Sequence, residues 1–361
     1  MKTIGFVGTA KNTGKTTTAL HILELVSAAE IPTALTSIGF DGENTDHVTG
    51  LPKPRYFAGK GVVLATAASL LPVGTAGYTD IQPTGLRTIL GEIVIARVKE
   101  PGYVVLAGPN RKVDLRIILD KLSHIGIELT MVDGALNRLA ALVVADGMVL
   151  STGASFDERI EVVARHAAAM ESLYHHPIYT GVHQDSSQAV SLYSSIGERR
   201  QMEISSIMDE DHLRRLIGWL TPGHSADCFI PGVFAPQLFE KMVKNAPGFM
   251  SGKTFIFTSP LSLLASANPE IWQSGIKRLQ ELGGSLAYKQ SLPLHFMTVN
   301  PFYPRYLQKT GNYVAEFVDK VKLLQDVRAL ITDTQVVDIL QPPHPDLLSL
   351  CGLSPYSGGK E

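Results

Sequence analysis

Short apolar runs alternate with helical stretches through the first half of the chain, and this alternation constrains the fold more than any other feature. Near-continuous apolar runs are typical of strands that are buried on both faces of a parallel sheet. The helical stretches between them supply the crossover connections that parallel strands require. We therefore predict an α/β domain with a mostly parallel sheet. The predicted strands are residues 3–7, 32–38, 103–106, 127–132 and 148–150, and the predicted helices are residues 16–29, 115–125 and 157–174.

The second half of the chain repeats this α/β pattern without a convincing internal repeat. A length of 361 residues suits about two domains, at roughly 150 residues each. We predict a first domain over residues 1–180 and a second α/β domain over residues 181–361, whose role the sequence does not indicate. The predicted strands of the second half are residues 229–233, 254–258 and 294–299, and its predicted helices are residues 236–244, 270–282 and 315–325.

Composition excludes several classes of protein. Charged residues make up 18% and hydrophobic residues 45% of the chain, which argues against a disordered chain or a coiled coil. The net charge of −2 does not favour binding to nucleic acid. The apolar run at residues 4–7 is too short for a signal peptide, and the stretch 62–73 is too short to span a bilayer. We expect a cytoplasmic protein that binds neither nucleic acid nor membrane.

The two cysteines, Cys228 and Cys351, are too few for a disulfide framework or a closed zinc site. We expect both to be buried and inert thiols. This cysteine usage fits a reducing compartment.

Residues 8–16 read Gly-Thr-Ala-Lys-Asn-Thr-Gly-Lys-Thr and lie between a predicted strand and a predicted helix. The pattern is close to the phosphate loop G-x-x-x-x-G-K-[ST], with its first glycine one residue early. Gly8 and Gly14 let the backbone curl around an anion because neither carries a Cβ. Backbone N–H groups and the N-terminus of the following helix can then donate to phosphate oxygens. The motif predicts a three-layer P-loop NTPase domain that binds ATP with Mg²⁺.

The residues of this loop have separate predicted roles. Lys15 would place its charge between the β- and γ-phosphates, and the Thr16 hydroxyl would ligate Mg²⁺. Thr17 is a candidate contact for the α-phosphate. The complete predicted nucleotide-binding set is Gly8, Thr9, Lys11, Asn12, Thr13, Gly14, Lys15, Thr16 and Thr17. A second Gly-Lys-Thr, at residues 252–254, is rejected because Pro247 replaces the first glycine and a predicted strand follows.

Two aspartates are candidate metal ligands, because Mg²⁺ usually takes one or two carboxylates beside the phosphates. Asp133 ends the predicted strand 127–132, at the Walker B position, and Asp41 follows the second predicted strand. We predict Lys15, Asp133 and Asp41 as catalytic residues, and Thr16, Asp133 and Asp41 as metal ligands. Both aspartates precede glycine, so a turn-forming Asp-Gly pair is the alternative. Asp46 competes with Asp41 for the metal.

The stretch 41–61 is a long loop that we interpret as functional. Within it, Lys53 is either a phosphate or substrate contact or a solvated lysine. Arg138 is a candidate γ-phosphate sensor, with a surface arginine as the alternative. The Asn/Thr-Lys-x-Asp element of GTPases is absent from this sequence, which favours ATP over GTP.

The phosphate loop resembles that of the dethiobiotin synthetase and cobyrinic-acid amidase group of P-loop proteins. Gly8 followed by Thr9 is shared with dethiobiotin synthetases, and Asp133-Gly-Ala is similar to the Glu-Gly-Ala of their Walker B strand. The group belongs to a class of dimerising NTPases that carry a signature lysine. In this chain that lysine would fall at Ala10, one residue before Lys11. The oligomeric state therefore stays open.

A wider set of blocks covers roughly the first 155 residues and comprises 35–43 with Asp46, 49–55, 85–87, 106–109, 132–138 and 151–154. These blocks resemble the small subunit of the reactivating ATPase for lysine 5,6-aminomutase. The resemblance implies an ATP-driven protein that removes damaged cobalamin from an adenosylcobalamin- and PLP-dependent aminomutase, together with a second ATPase subunit. Two alternatives stay open. One is a dethiobiotin-synthetase-like ligase that uses ATP to activate a carboxylate or carbamate, and the other is a nucleotide-binding scaffold that never hydrolyses ATP.

Overall fold

The computed structural model describes residues 1–41, 55–134, 136–183, 188–266, 268–309 and 311–353. The chain divides into two compact units, Met1–Ala167 with Pro293–Glu361 and Ala168–Leu292. The strands are β1 (Lys2–Gly8), β2 (Thr33–Ser37), β3 (Phe40–Asp41), β4 (Phe57–Ala58), β5 (Val63–Ala67), β6 (Gly77–Thr88), β7 (Gly91–Glu100), β8 (Gly102–Tyr103), β9 (Leu106–Ala107), β10 (Leu129–Asp133), β11 (Gly147–Gly153), β12 (Ser191–Ser194), β13 (Arg199–Gln201), β14 (Ala226–Ile230), β15 (Lys253–Phe257), β16 (Ser285–Tyr288), β17 (Leu294–Asn300), β18 (Phe302–Leu307), β19 (Asn312–Phe317) and β20 (Val336–Val337). The α-helices are α1 (Lys15–Ala28), α2 (Lys112–His124), α3 (Ile160–Ser172), α4 (Glu210–Ile217), α5 (Pro236–Asn245), α6 (Leu261–Leu264), α7 (Pro269–Glu281), α8 (Lys320–Leu330) and α9 (Leu347–Leu350), and Ala68–Val73, Leu136–Val144 and Pro247–Phe249 are 3₁₀ helices.

The first unit is built on a nine-stranded mixed sheet in the order β20-β17-β11-β1-β10-β2-β5-β7-β6. Neighbouring strands run parallel from β20 through to β5. The last two strands, β7 and β6, are antiparallel additions at one edge. This arrangement confirms the predicted α/β class with a mostly parallel sheet.

Side-chain alternation explains why both faces of this sheet are covered by helices. On one face, Ile4 and Phe6 of β1 join a buried cluster with Ile22 of α1. On the other face, Val63 of β5 joins a cluster with Ile118 of α2. Strands that bury both faces must be apolar along their whole length, and this is the pattern that made them recognisable in the sequence.

The second unit contains a five-stranded sheet in the order β13-β12-β14-β15-β16, in which β14, β15 and β16 are parallel. Helices α5 and α7 connect these parallel strands and contribute to an aromatic core. Phe239 of α5 contacts Phe255 edge-on with ring centroids 5.6 Å apart, and Trp272 of α7 contacts Phe257 at the same distance. The unit is therefore a smaller α/β fold with its own core.

The compact units differ from the predicted domains 1–180 and 181–361. Residues from Pro293 onward return to the first unit, because β17 pairs with β11 in parallel and β20 extends the same sheet. A linear division fails because hydrophobic patterning identifies a strand without identifying its partner.

Two local predictions are also wrong. Residues 315–325 are not one helix, because β19 runs to Phe317 and α8 begins at Lys320, where the Asp319 carboxylate caps the N–H groups of Val321 and Lys322. Residues 103–106 are not a strand of the large sheet. They are split between β8 and β9, which make short antiparallel pairs with β4 and β3.

Across the described ranges, every helix is too short or too polar to cross a membrane.

Candidate functional site

The predicted phosphate loop lies at the carboxyl edge of the parallel strands. The connection from β1 through α1 to β2 passes over β10, whereas the connection from β10 to β11 passes over β1 in the opposite direction. The direction of winding therefore reverses at β1 and β10. Ligands of open α/β sheets bind at such a reversal, outside the carboxyl ends of the strands.

The loop after β1 is tightly curled, and its two glycines are required by geometry. A Cβ on Gly8 would lie 2.5 Å from the Thr13 hydroxyl oxygen and 2.9 Å from the Ala10 carbonyl. The Thr13 hydroxyl in turn donates to that carbonyl at 3.0 Å. Gly14 precedes α1 with φ of 91°, a conformation that side chains with a Cβ rarely adopt. Asn12 also has a positive φ, of 62°.

Backbone N–H groups of the loop are available to an anion. Among the backbone hydrogen bonds of the described residues, none has the N–H of Ala10, Lys11, Asn12, Thr13 or Gly14 as its donor. The loop leads directly into α1, which is 14 residues long and has no acidic side chain in its first turn. No carboxylate of α1 itself therefore offsets the positive end of the helix dipole. Loop and helix together form an anion-binding geometry.

Lys15 and Asp133 form an ion pair at this edge of the sheet. The Lys15 ammonium also donates to the Gly134 carbonyl at 3.1 Å. The Asp133 side chain is only 2% exposed and that of Lys15 is 17% exposed, so the pair is largely removed from water. Parallel pairing of β1 with β10 places Phe6 beside Asp133 and brings the carboxylate next to the start of α1. The structure therefore brings together two of the three residues that the sequence predicted as catalytic, Lys15 and Asp133.

Buried hydroxyl groups fix the first turn of α1 on the sheet. The hydroxyls of Thr18 of α1, Ser151 of β11 and Thr298 of β17 lie 2.8 to 3.3 Å from one another. The Thr9 hydroxyl donates to that of Thr152 at 3.1 Å. These contacts hold the loop and the helix against β11 and β17.

Two side chains that the sequence analysis did not single out hold the outer part of the loop. Asn300, at the end of β17, donates from its Nδ2 to the Asn12 carbonyl at 3.0 Å, and the Ser155 hydroxyl lies 3.2 Å from the same oxygen. The position of Asn300, directly after the predicted strand 294–299, was the signal that could have identified it. Because the sequence analysis placed residue 300 in the second domain, Asn300 was not considered as part of this site.

The remaining predicted residues differ in how much the structure says of them. Lys11 is exposed, and Asn12, Thr16 and Thr17 are half-buried. The backbone of Asp41 ends β3, beside Leu106 of β9, but its side chain lies outside the described part of the structure, as does that of Arg138. Asp46 and Lys53 lie outside the described residues.

Separated blocks of the sequence converge beside Asp133. The Asp133 carbonyl accepts from the N–H of Ile38, just after β2, at 2.8 Å. Ser37 accepts at its hydroxyl from the N–H of Gly108 at 3.1 Å. The blocks around residues 37–41, 106–109 and 132–134 therefore meet at one edge of the sheet.

The second unit contains the rejected Gly-Lys-Thr segment, and Lys253 there has a structural role. Its ammonium is buried and donates to the carbonyls of Thr221, His224 and Ser251. A strand, β15, begins at this lysine, as the sequence predicted. Lys253 therefore joins loops at the amino end of the sheet and does not project into a phosphate-binding turn.

Both cysteines are buried free thiols, which confirms that prediction. Burial raises the pKa of Cys228 to about 12, with a smaller contribution from Asp227. Burial likewise raises the pKa of Cys351 to about 12. Neither thiol is therefore a thiolate nucleophile at neutral pH.

Comparison with family models, curated proteins and solved structures gives no significant match to this chain. What the site does must therefore follow from its own residues and their geometry.

Proposed function

We propose that this chain is a P-loop NTPase that binds ATP with Mg²⁺ at residues 8–17 and hydrolyses it. The observation that carries the proposal is the position of Lys15. It starts a helix behind a curled loop whose N–H groups donate to no backbone carbonyl of the described residues, and it contacts the buried Asp133 at the end of the adjacent strand. An ordinary glycine-rich turn requires neither a helix that starts with a lysine nor an ion pair between that lysine and a buried carboxylate.

The donor set fits a nucleoside triphosphate and a hard divalent cation. Loop N–H groups and the Lys15 ammonium would hold the phosphates, whereas the Thr16 hydroxyl and the Asp133 carboxylate are the oxygen ligands that Mg²⁺ prefers. Bound Mg²⁺ would supply charge neutralisation on the β- and γ-phosphate oxygens. Asp41, the last residue of β3, remains a proposed third oxygen ligand.

The Lys15–Asp133 ion pair prepares both residues for these roles. The ion pair holds the Lys15 side chain at the edge of the sheet and gives the nearly buried Asp133 carboxylate a cationic partner. On nucleotide binding each residue would exchange its partner, Lys15 for phosphate oxygens and Asp133 for the cation. The desolvation cost of both charges is then already met by the folded protein.

We further propose that hydrolysis serves the reactivation of an adenosylcobalamin-dependent lysine 5,6-aminomutase, with a second ATPase subunit as partner. The support is the resemblance of the sequence blocks, together with the convergence of the blocks at residues 37–41, 106–109 and 132–134 beside Asp133. Nucleotide-dependent ordering of a segment is an established switching mechanism. Our candidate for that role, the segment that follows Asp41, lies outside the described residues.

Titration calorimetry of the full chain with Mg-ATP and Mg-GTP tests nucleotide binding. We expect the wild type to bind Mg-ATP, and Lys15→Ala to weaken binding at least tenfold because it removes a charge held against two phosphates. Lys60→Ala, an exposed lysine of the same unit, is the matched control and should bind as the wild type does. Equal affinity of the Lys15→Ala and wild-type proteins would contradict the assignment of this loop.

Phosphate release separates the reactivase from its alternatives. A reactivase should hydrolyse ATP slowly alone and faster with the aminomutase or the second subunit present. A ligase should instead consume a small acid with stoichiometric ADP and no protein partner. A scaffold should bind ATP and leave it intact.

A further inference from the structure

The Asn12 carbonyl, at the outermost part of the phosphate loop, is held from two separate parts of the first unit. Asn300 Nδ2 donates to it at 3.0 Å from the end of β17. The Ser155 hydroxyl lies 3.2 Å from it, just after β11. These residues are 288 and 143 positions away from Asn12 in the chain. Such contacts do not arise from local turn formation.

Asn300 is itself fixed in orientation. Its Oδ1 accepts from the backbone N–H of Phe302 at 3.2 Å, which leaves Nδ2 directed to Asn12. The Ser155 hydroxyl also lies 3.0 Å from the Phe302 carbonyl. An added Cβ at Gly14 would lie 3.2 Å from the Asn300 Cβ, so Asn300 packs against the loop at both of these positions.

The hydrogen bonds to the Asn12 carbonyl also fix the direction of the next N–H group, that of Thr13. In a trans peptide the carbonyl of one residue and the N–H of the next point in opposite directions. The Asn12 carbonyl points to Asn300 and Ser155, so the N–H of Thr13 points away from them. That N–H donates to no carbonyl in the described part of the chain. Asn12 also has a φ of 62°, a conformation that needs support from its surroundings.

We propose that Asn300 and Ser155 are positioning residues that hold the Asn12–Thr13 peptide so that the Thr13 N–H faces the bound phosphates. The inference rests on the proposed nucleotide-binding function. It assigns to the returning segment after Pro293 a part in the phosphate site. The proposal also predicts that Asn300 does not contact the nucleotide base, because its side chain binds the backbone of the loop.

Binding of Mg-ATP and of magnesium tripolyphosphate, a ligand without a base or a sugar, distinguishes these roles. We expect Asn300→Ala to weaken both ligands by about tenfold, in line with the loss of one hydrogen bond that preorganises the site. Ser155→Ala should weaken both ligands by a smaller factor, because the Ser155 hydroxyl has one proton that the Asn12 and Phe302 carbonyls share. The double variant should lose less than the product of the two single effects, since both side chains restrain one carbonyl. Asn312→Ala, an exposed asparagine on β19, is the matched control and should bind both ligands as the wild type does.

Three results would overturn the inference. Unchanged affinity in both single variants would show that the loop needs no such support. Loss of ATP affinity with unchanged tripolyphosphate affinity would make Asn300 a base or sugar contact. A wild-type protein that binds neither ligand, or binds both independently of Lys15, would remove the proposed function and this inference with it.

Urea unfolding without ligand shows whether a variant binds weakly because the whole protein is destabilised. The positioning role requires nearly unchanged unfolding midpoints in the single variants and a smaller stabilisation by added tripolyphosphate. Ser155→Ala removes a single oxygen atom and is the milder variant if Asn300→Ala folds poorly.

Discussion

At the scale of single residues, the proposed phosphate loop shows how the absence of a side chain allows a tight backbone turn. Gly8 ends β1 at a point where the Thr13 hydroxyl and the Ala10 carbonyl come within reach of any Cβ. The backbone of the loop can curl this closely only because that atom is absent. Lys15 makes the opposite contribution, because its long side chain crosses from α1 to the neighbouring strand end at Asp133.

Gly8→Ala should therefore destabilise the first unit by roughly 1–3 kcal/mol, as expected for an overpacked site. Gly59→Ala is the matched control, because its Cβ would meet no atom within 4 Å. The control should stay within about 0.5 kcal/mol of the wild type. Urea unfolding of both variants measures the difference. Equal stability of the two would show that the loop can relax around a methyl group.

At the scale of elements, β17 shows the limit of reading strands from sequence. Its apolar run was predicted as a strand over residues 294–299, and the strand is present over Leu294–Asn300. Its neighbours are β11 and β20 in the first unit, so it joins a sheet in which every other strand except β20 precedes it by more than a hundred residues. It carries Thr298 into the hydroxyl cluster and Asn300 onto the phosphate loop.

Phe296→Ala tests whether this returning strand is part of the first unit's core. Phe296 is fully buried in the cluster that contains Ile4 and Phe6, so its truncation should cost about 3–5 kcal/mol. Phe317→Ala removes the same atoms from β19, where the ring is 66% exposed, and should cost less than about 1 kcal/mol. Hydrogen exchange should show the loss of protection in β1 and β11. A loss confined to the second unit would contradict the division described above.

At the scale of the whole molecule, each compact unit contains a histidine that the fold keeps neutral. Burial lowers the pKa of His295 in the first unit to about 4, helped by the charge of Lys2. Burial lowers the pKa of His176 in the second unit to about 4, helped by His175. Both residues have an ordinary pKa of about 6.5 in the unfolded chain.

Between about pH 6.5 and pH 4 the unfolded chain therefore binds more protons than the folded chain at these positions, and the free energy of unfolding falls as the pH is lowered. We expect urea midpoints to decrease over this window. His295→Gln should reduce the decrease in the first unit and His176→Gln the decrease in the second, as followed by hydrogen exchange in each unit. A pH dependence that neither variant changes would assign the effect to other groups.

Hydrophobic patterning predicted many of the strands and helices, because the pattern of a buried element depends only on its own residues. Buried parallel strands are apolar along their length, so β1, β2, β10, β11, β15 and β17 were recognised within a few residues of their ends. The antiparallel strands β6 and β7 were not recognised. Every residue of β6 except Thr84 is exposed or half-buried, so the strand lacks the apolar run that marked the others. The helix predicted over residues 315–325 failed because apolar residues at helical spacing also suit a strand followed by a cap at Asp319.

The sequence by itself determined the α/β class, the glycines of the loop at residues 8–16 and the position of Asp133 at the end of a buried strand. Each of these depends on a short stretch of chain, through side-chain periodicity or through the absence of a Cβ. Only the tertiary structure decided that residues after Pro293 complete the first sheet, and that Asn300 and Ser155 hold the Asn12 carbonyl. A strand's hydrophobic pattern specifies which faces are buried and leaves its neighbours to long-range packing, which is why these contacts are absent from any local reading.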